Sequence, residues 1–161
     1  MPDFSTLLEM LEYRAIESGE KTAFTFRGVP TSFNTLWERI NLFASLLLDK
    51  EIKEQECIVI ALPNSAEFFF AFYGVQRAGG IAVPLFPESN TERLAFIAKS
   101  CGSKVVVLPE ESSKKVELEE RGLICLTVND ALNTQVQNVF PQIQLDDIAF
   151  LQYTSGSTGD P

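Results

Sequence analysis

The sequence predicts an α/β domain: a mainly parallel sheet flanked by helices, with a hairpin near the N-terminus. Three observations predict it. Short apolar runs at Cys57–Leu62, Ile81–Leu85, Lys104–Leu108, Leu123–Thr127 and Ile148–Tyr153 read as strands. Segments of helical pattern separate the first four, so strand and helix alternate. Glycine, proline and asparagine punctuate the joins, as at Pro63-Asn64, Gly79-Gly80 and Gly102. No internal repeat is present, and 161 residues suffice for one compact core.

The elements follow in order. Phe4, Leu7, Leu8, Leu11 and Ala15 recur at helical spacing, with Asp3 or Ser5 as the expected cap and Gly19 as the stop. Thr22–Phe26 and Val29–Phe33 flank Arg27-Gly28 and predict a hairpin. Leu36, Ile40, Phe43 and Leu47 share a face of a second helix, for which Thr35 and Glu38 suggest a capping box. Cys57–Leu62 is continuously apolar, as a strand buried on both faces requires. Ser65–Ala78 is a helix apolar nearly all round, so it is expected to be buried. Thr91–Ser100 is a further helix with Leu94, Ile97 and Ala98 inward, and Ser112–Glu120 a weak, charged one. Asn129–Asp147 is polar and reads as a loop with one helical turn near Ala131, leading into a last strand over Ile148–Tyr153.

Composition excludes several functions. Thirteen basic against 22 acidic residues leave a net charge of −9, which disfavours nucleic-acid and anionic-membrane binding. The absence of histidine removes histidine-dependent nucleophilic catalysis and histidine metal sites from this chain. Cys57, Cys101 and Cys125 are widely spaced and set among apolar residues, so they read as reduced core cysteines of a cytoplasmic protein. No apolar run approaches the ~18 residues of a membrane span, and no basic residue precedes Arg14 to suggest a secretory signal.

In open parallel sheets ligands bind beyond the carboxyl ends of strands. Beyond the last expected strand lie Thr154, Ser155, Gly156, Ser157, Thr158 and Gly159. Small hydroxylated residues and glycines let backbone N–H groups turn toward an anion, a way to hold phosphate that needs few lysines. Gly156 and Gly159 are too close together for a Walker loop, and no GxGxxG is present. The competing reading is a flexible Ser/Gly linker or a plain turn. From the residues alone, the reading ends at a phosphate loop of unknown type.

The run LQYTSGSTGDP over 151–161 resembles the phosphate-loop motif of the adenylate-forming enzymes. Two earlier segments agree in order: Thr31–Ile40 is similar to that superfamily's "TY-x-EL" helix start, and Arg77–Pro84 to its "KAGA-x-x-VP" segment. The Leu-Gln-Tyr opening and the Asp160-Pro161 ending look most like the fatty acyl-AMP ligases, although Glu88 follows Pro87 where many of those carry a second proline. The resemblance implies the N-terminal part of the large, AMP-binding domain, ending inside the phosphate-binding loop. It implies ATP-dependent activation of a fatty acid as acyl-AMP, with release of pyrophosphate and transfer to an acyl carrier protein. A fatty acyl-CoA synthetase, using coenzyme A, is the near alternative; a non-catalytic α/β module that binds a nucleotide or a protein is the distant one. Thr154–Gly159 would hold the β- and γ-phosphates. The Mg2+ ligands, the rest of the large domain and the C-terminal lid are expected downstream, so no catalytic residue is assigned here and this segment alone is expected to be inactive.

Other features have plain explanations. The Phe68–Tyr73 cluster reads as core before it reads as the lining of an acyl tunnel, and Trp37 as packing. Glu110–Arg121 reads as a solvated face. Asp146-Asp147 reads as a polar entry to the last strand before it reads as a metal site.

Overall fold

The computed structural model describes residues 3–154. Helix α1 spans Leu7–Ser18 and buries Leu8, Leu11 and Ala15. Its cap is Thr6, not Asp3 or Ser5: the Thr6 hydroxyl accepts from the Glu9 amide while Glu9 Oε2 accepts from the amides of Ser5 and Thr6. The Thr-x-x-Glu spacing carries that capping box. Strands β1 (Thr22–Phe26) and β2 (Val29–Ser32) pair antiparallel. Arg27 and Gly28 both have positive φ, the geometry that suits a tight hairpin to the twist of its strands.

Helix α2 spans Phe33–Asp49 and starts earlier than expected, because Ser32 at the end of β2 serves as its cap and accepts from the Thr35 amide. The expected Thr35–Glu38 capping box therefore lies inside the helix. Strand β3 (Cys57–Ile60), helix α3 (Ala66–Arg77), strand β4 (Ile81–Pro84), helix α4 (Thr91–Cys101), strand β5 (Val105–Val107), helix α5 (Lys115–Glu120) and strand β6 (Ile124–Leu126) follow, with a 3-10 turn at Asn129–Asn133. The four strands form one parallel sheet in the order β4-β3-β5-β6, as the alternating pattern predicts.

Alternation along the strands divides the interior into two layers. Ile58, Ile60, Val105 and Val107 face α2 and α3 with Ile40, Phe43 and Leu47. Cys57, Val59, Val83 and Val106 face α4 and α5 with Leu94, Ile97 and Leu118. The strand order explains the two layers. The chain leaves β3 for β4 on one side and returns past β3 to β5 on the other, and a fixed crossover handedness then puts α3 and α4 on opposite faces. Both α3 and α4 thus begin at the carboxyl end of the sheet.

The structure corrects the last expected strand. Ile148–Tyr153 runs along the outer edge of β4 but makes only one parallel bridge, Ala82 with Phe150. The Ala82 amide donates to the Ala149 carbonyl at 3.1 Å and the Leu151 amide to the Ala82 carbonyl at 2.9 Å. The ladder stops there for two reasons. The next outward position on β4 is Pro84, which has no N–H, and the preceding one is Gly80, whose amide is already bonded to the Val75 carbonyl.

Candidate functional site

Three segments converge at the carboxyl end of the sheet. After β3, Leu62-Pro63-Asn64 leads to Ser65, whose hydroxyl caps α3 by accepting from the Phe68 amide at 3.3 Å. After β4, Leu85–Ser89 leads to Asn90, whose Oδ1 caps α4 by accepting from the Arg93 amide at 2.9 Å. After the Phe150 bridge come Gln152 and Tyr153. Between them lies a cleft of about 520 Å³, a size that suits a small-molecule ligand.

Aromatic rings form one of its walls. Phe68 and Phe72 stack with centroids 5.6 Å apart, and Phe150 packs on Phe72 at 5.8 Å. This corrects the expectation that α3 is buried all round. Phe70, Ala71, Gly74 and Val75 are buried, whereas Phe68, Phe72 and Tyr73 are half-buried and Phe69 is 37% exposed. The aromatic side of the helix forms the cleft and its flank. Phe86 stands on the opposite rim, 77% exposed. The rim is fixed from behind, where Lys114 Nζ donates to the Pro87 carbonyl at 2.5 Å.

The polar groups are few. Asn64, Gln152 and Glu88 line the cleft, and Arg93 is its one cation among the described residues. Arg93 is half-buried and outside the ion pairs of the described residues, which join Lys104 to Glu56 and Arg121 to Glu92 and Glu117. The Tyr153 hydroxyl donates to Ser100 Oγ at 3.2 Å, which holds the chain against α4 one residue before Thr154.

Of the residues expected to cradle phosphate, Thr154 is exposed and follows Tyr153, which lines this cleft. Ser155, Gly156, Ser157, Thr158 and Gly159 lie outside the described residues. Sequence reasoning missed Arg93 and the Tyr153–Ser100 contact. The Asn90-Thr-Glu-Arg93 run did carry a signal: an asparagine cap followed by a cation in the first turn, where helix dipoles disfavour one.

A second, smaller cleft of about 190 Å³ lies where β3, β5 and β6 end, at the topological switch point. Glu67 and Glu110 line it and make it unsuited to an anion. Asp147 Oδ2 accepts from the Gln144 amide at 2.7 Å, so it closes a local turn. Among the described residues no group of three or more acidic or cysteine side chains converges, and none is assigned as a magnesium ligand. No helix among them is long and apolar enough to cross a membrane.

Residues 11–161 match the family described as AMP-binding enzyme. Curated relatives include tyrocidine synthase 3 from Brevibacillus parabrevis, 30% identical over 162 residues, and a dimodular nonribosomal peptide synthase from Bacillus subtilis, 26% identical over 162 residues. They align with 99% and 97% of this chain, which spans 2% and 7% of those proteins. Among solved structures, the chain resembles a fatty acyl-adenylate ligase from L. pneumophila in complex with acyl adenylate and pyrophosphate, with a TM-score of 0.76 and 23% identity. It also resembles o-succinylbenzoate CoA synthetase from Bacillus subtilis in complex with its acyl-adenylate intermediate, with a TM-score of 0.79 and 24% identity. These cover 97% and 92% of this chain and 29% and 39% of theirs, and at that identity the likeness is one of fold.

Proposed function

The chain belongs to the AMP-binding enzyme family, and on that premise we propose that it is the N-terminal part of the large domain of an enzyme that activates a fatty acid as its acyl-adenylate. A carboxylate oxygen attacks the α-phosphorus of ATP, the bond from that phosphorus to the bridging oxygen breaks, and pyrophosphate leaves. A thiol then attacks the acyl carbon and AMP departs. The acceptor proposed is the phosphopantetheine thiol of an acyl carrier protein, with coenzyme A as the alternative.

One observation carries the reading. The cleft at the carboxyl ends of β3 and β4 is lined by Gln152 and Tyr153, and the Thr-Ser-Gly-Ser-Thr-Gly run begins at the next residue in sequence, Thr154. Within this reading Thr154–Gly159 donates backbone and hydroxyl hydrogen bonds to the β- and γ-phosphates, stabilising charge as it develops on the leaving group. The rings of Phe68, Phe72 and Phe150 exclude water from the neighbouring wall. The motif that resembles fatty acyl-AMP ligases supports a fatty acid, while the nonribosomal peptide synthase among the relatives makes amino acids the competing substrate class. The free cysteines, two of them buried, suit a reducing cytoplasm.

The test is acid-dependent ATP–pyrophosphate exchange by the full-length protein with panels of fatty acids and amino acids. Exchange driven by a long-chain fatty acid is expected. Exchange driven by amino acids alone would replace the fatty acid, and exchange with no acid would end the proposal. Transfer of the acyl group to carrier protein and to coenzyme A, followed by mass spectrometry, distinguishes the acceptors.

A further inference from the structure

We propose that Arg93 is the cation that receives the β- and γ-phosphates of ATP, and the pyrophosphate they become, at the α4 wall of the cleft. The inference rests on the adenylating reading above and adds to it a residue outside the phosphate loop.

Five observations carry it. Arg93 lines the same cleft as Gln152 and Tyr153, the two residues that precede Thr154 in sequence. It is half-buried, and among the described residues no carboxylate oxygen lies within ion-pairing distance of it. Glu88, on the same cleft, is exposed and leaves it unpaired. Its neighbour Glu92 is drawn outward to Arg121, 3.8 Å away. Arg93 also occupies the first turn of an 11-residue helix, its position fixed by the Asn90 cap. A cation beside the unsatisfied N–H groups of a helix start is electrostatically disfavoured, so two positive features meet at one wall without a counter-charge among the described residues. An anionic ligand supplies that counter-charge.

The chemistry selects phosphate over the carboxylate of the acid. A guanidinium on the attacking carboxylate lowers its nucleophilicity and stabilises the ground state. A guanidinium on the leaving pyrophosphate strengthens its hold as charge develops there, which is the interaction that accelerates the step. Guanidinium geometry also matches two phosphate oxygens at once.

The experiment uses the full-length protein and its Arg93→Gln and Arg93→Lys variants. Inorganic pyrophosphate binding is measured directly by calorimetry, and KM values for ATP and for the fatty acid are taken from pyrophosphate exchange. For Arg93→Gln, pyrophosphate affinity falls about tenfold or more, the loss expected for one charge-assisted contact. KM for ATP rises in step, and KM for the acid is unchanged. Arg93→Lys recovers part of the affinity, and the urea midpoints of both variants match the parent. Unchanged pyrophosphate affinity in Arg93→Gln overturns the assignment. So does a rise confined to the acid KM, which would place the guanidinium on the carboxylate, or a drop in urea midpoint that accounts for the loss. A parent protein that exchanges with no acid but loses pyrophosphate binding on Arg93→Gln would sustain the phosphate site and remove the adenylating reading.

Discussion

The Arg77 guanidinium carbon lies 4.4 Å from the centroid of the Phe140 ring, and the Trp37 ring lies 5.0 Å from the same carbon. Nε of Arg77 donates to Asn41 Oδ1 at 3.3 Å. Burial lowers the pKa of the guanidinium from its ordinary value, and nearby Glu12 opposes that shift. This cation between two rings fastens the polar segment after the 3-10 turn onto α2 and α3. Two further bonds assist, from the Gln137 amide to buried Ser45 Oγ at 2.9 Å and from Gln137 Nε2 to Asp49 Oδ1 at 2.7 Å. The same segment continues to Phe150 and the cleft.

Removing the clamp is expected to loosen that segment. Arg77→Ala should cost about 1–2 kcal/mol, the range of a partly desolvated cation–π contact with its hydrogen bond. Urea denaturation checks the magnitude. A double-mutant cycle with Phe140→Ala should show coupling, and strict additivity would mean that the stack contributes nothing.

Gly74 sets the distance between α2 and α3. A Cβ there would stand 2.9 Å from Phe43 Cδ1, 3.0 Å from Phe43 Cβ and 3.3 Å from the Ile40 carbonyl oxygen. Phe43 is fully buried, so it has nowhere to retreat. Gly74→Ala should therefore destabilise by about 1–3 kcal/mol despite alanine's better helix propensity. A thermal melt at or above the parent's midpoint would contradict this.

Stability should fall at alkaline pH through two thiols. Burial, then the neighbouring Cys101 and Glu56, raises the Cys57 pKa from 9.0 to about 11. Burial, then Glu119, raises that of Cys125 from 9.0 to about 11, against an opposing effect of Lys115. Both folded pKa values exceed the unfolded one, so the folded chain holds more protons between them. The thiols' contribution is full below about pH 9 and is lost as the pH rises toward about 11. Urea midpoints at about pH 7, 9 and 10.5 should trace that decline, and a Cys57→Ala/Cys125→Ala variant should flatten it.

The parallel sheet was legible because each buried strand is an apolar run ended by a turn residue, as in Cys57–Leu62 before Pro63-Asn64. The hairpin was legible from Arg27-Gly28 and its β-prone flanks. Caps were less legible, because several hydroxyl residues cluster at each helix start. Thr6 won over Asp3 and Ser5 through its Thr-x-x-Glu spacing, and Ser32 over Thr35 because it ends β2, neither of which apolar periodicity encodes. The last strand failed on hydrogen-bond supply, with Pro84 and Gly80 unable to extend the ladder. The helix at Ala66–Arg77 is apolar all round because its aromatic side lines a cleft, a use of apolar surface that composition cannot distinguish from core. The sequence order of strand and loop brings Gln152 and Tyr153 to the cleft, but Arg93 depends on which side of β3 the chain turns.

Residues 1–161 alone should fold in one cooperative transition, since both layers of the sheet are filled within them. They should form no acyl-adenylate, because positioning of the reacting groups carries most of the rate in such reactions. Circular dichroism on heating and an adenylate assay against a no-protein control check the two halves. Adenylate above that control would show a complete catalytic unit.

The role given to the Thr154–Gly159 loop is tested most directly by fatty-acid-dependent ATP–pyrophosphate exchange in the full-length protein carrying Thr158→Glu, compared with the unmodified enzyme at equal folded concentration. A carboxylate placed among phosphate-binding donors should repel the leaving group and lower exchange by a factor of about 100 or more, with the urea midpoint unchanged. Exchange at the unmodified rate would contradict the account and remove the loop from the mechanism.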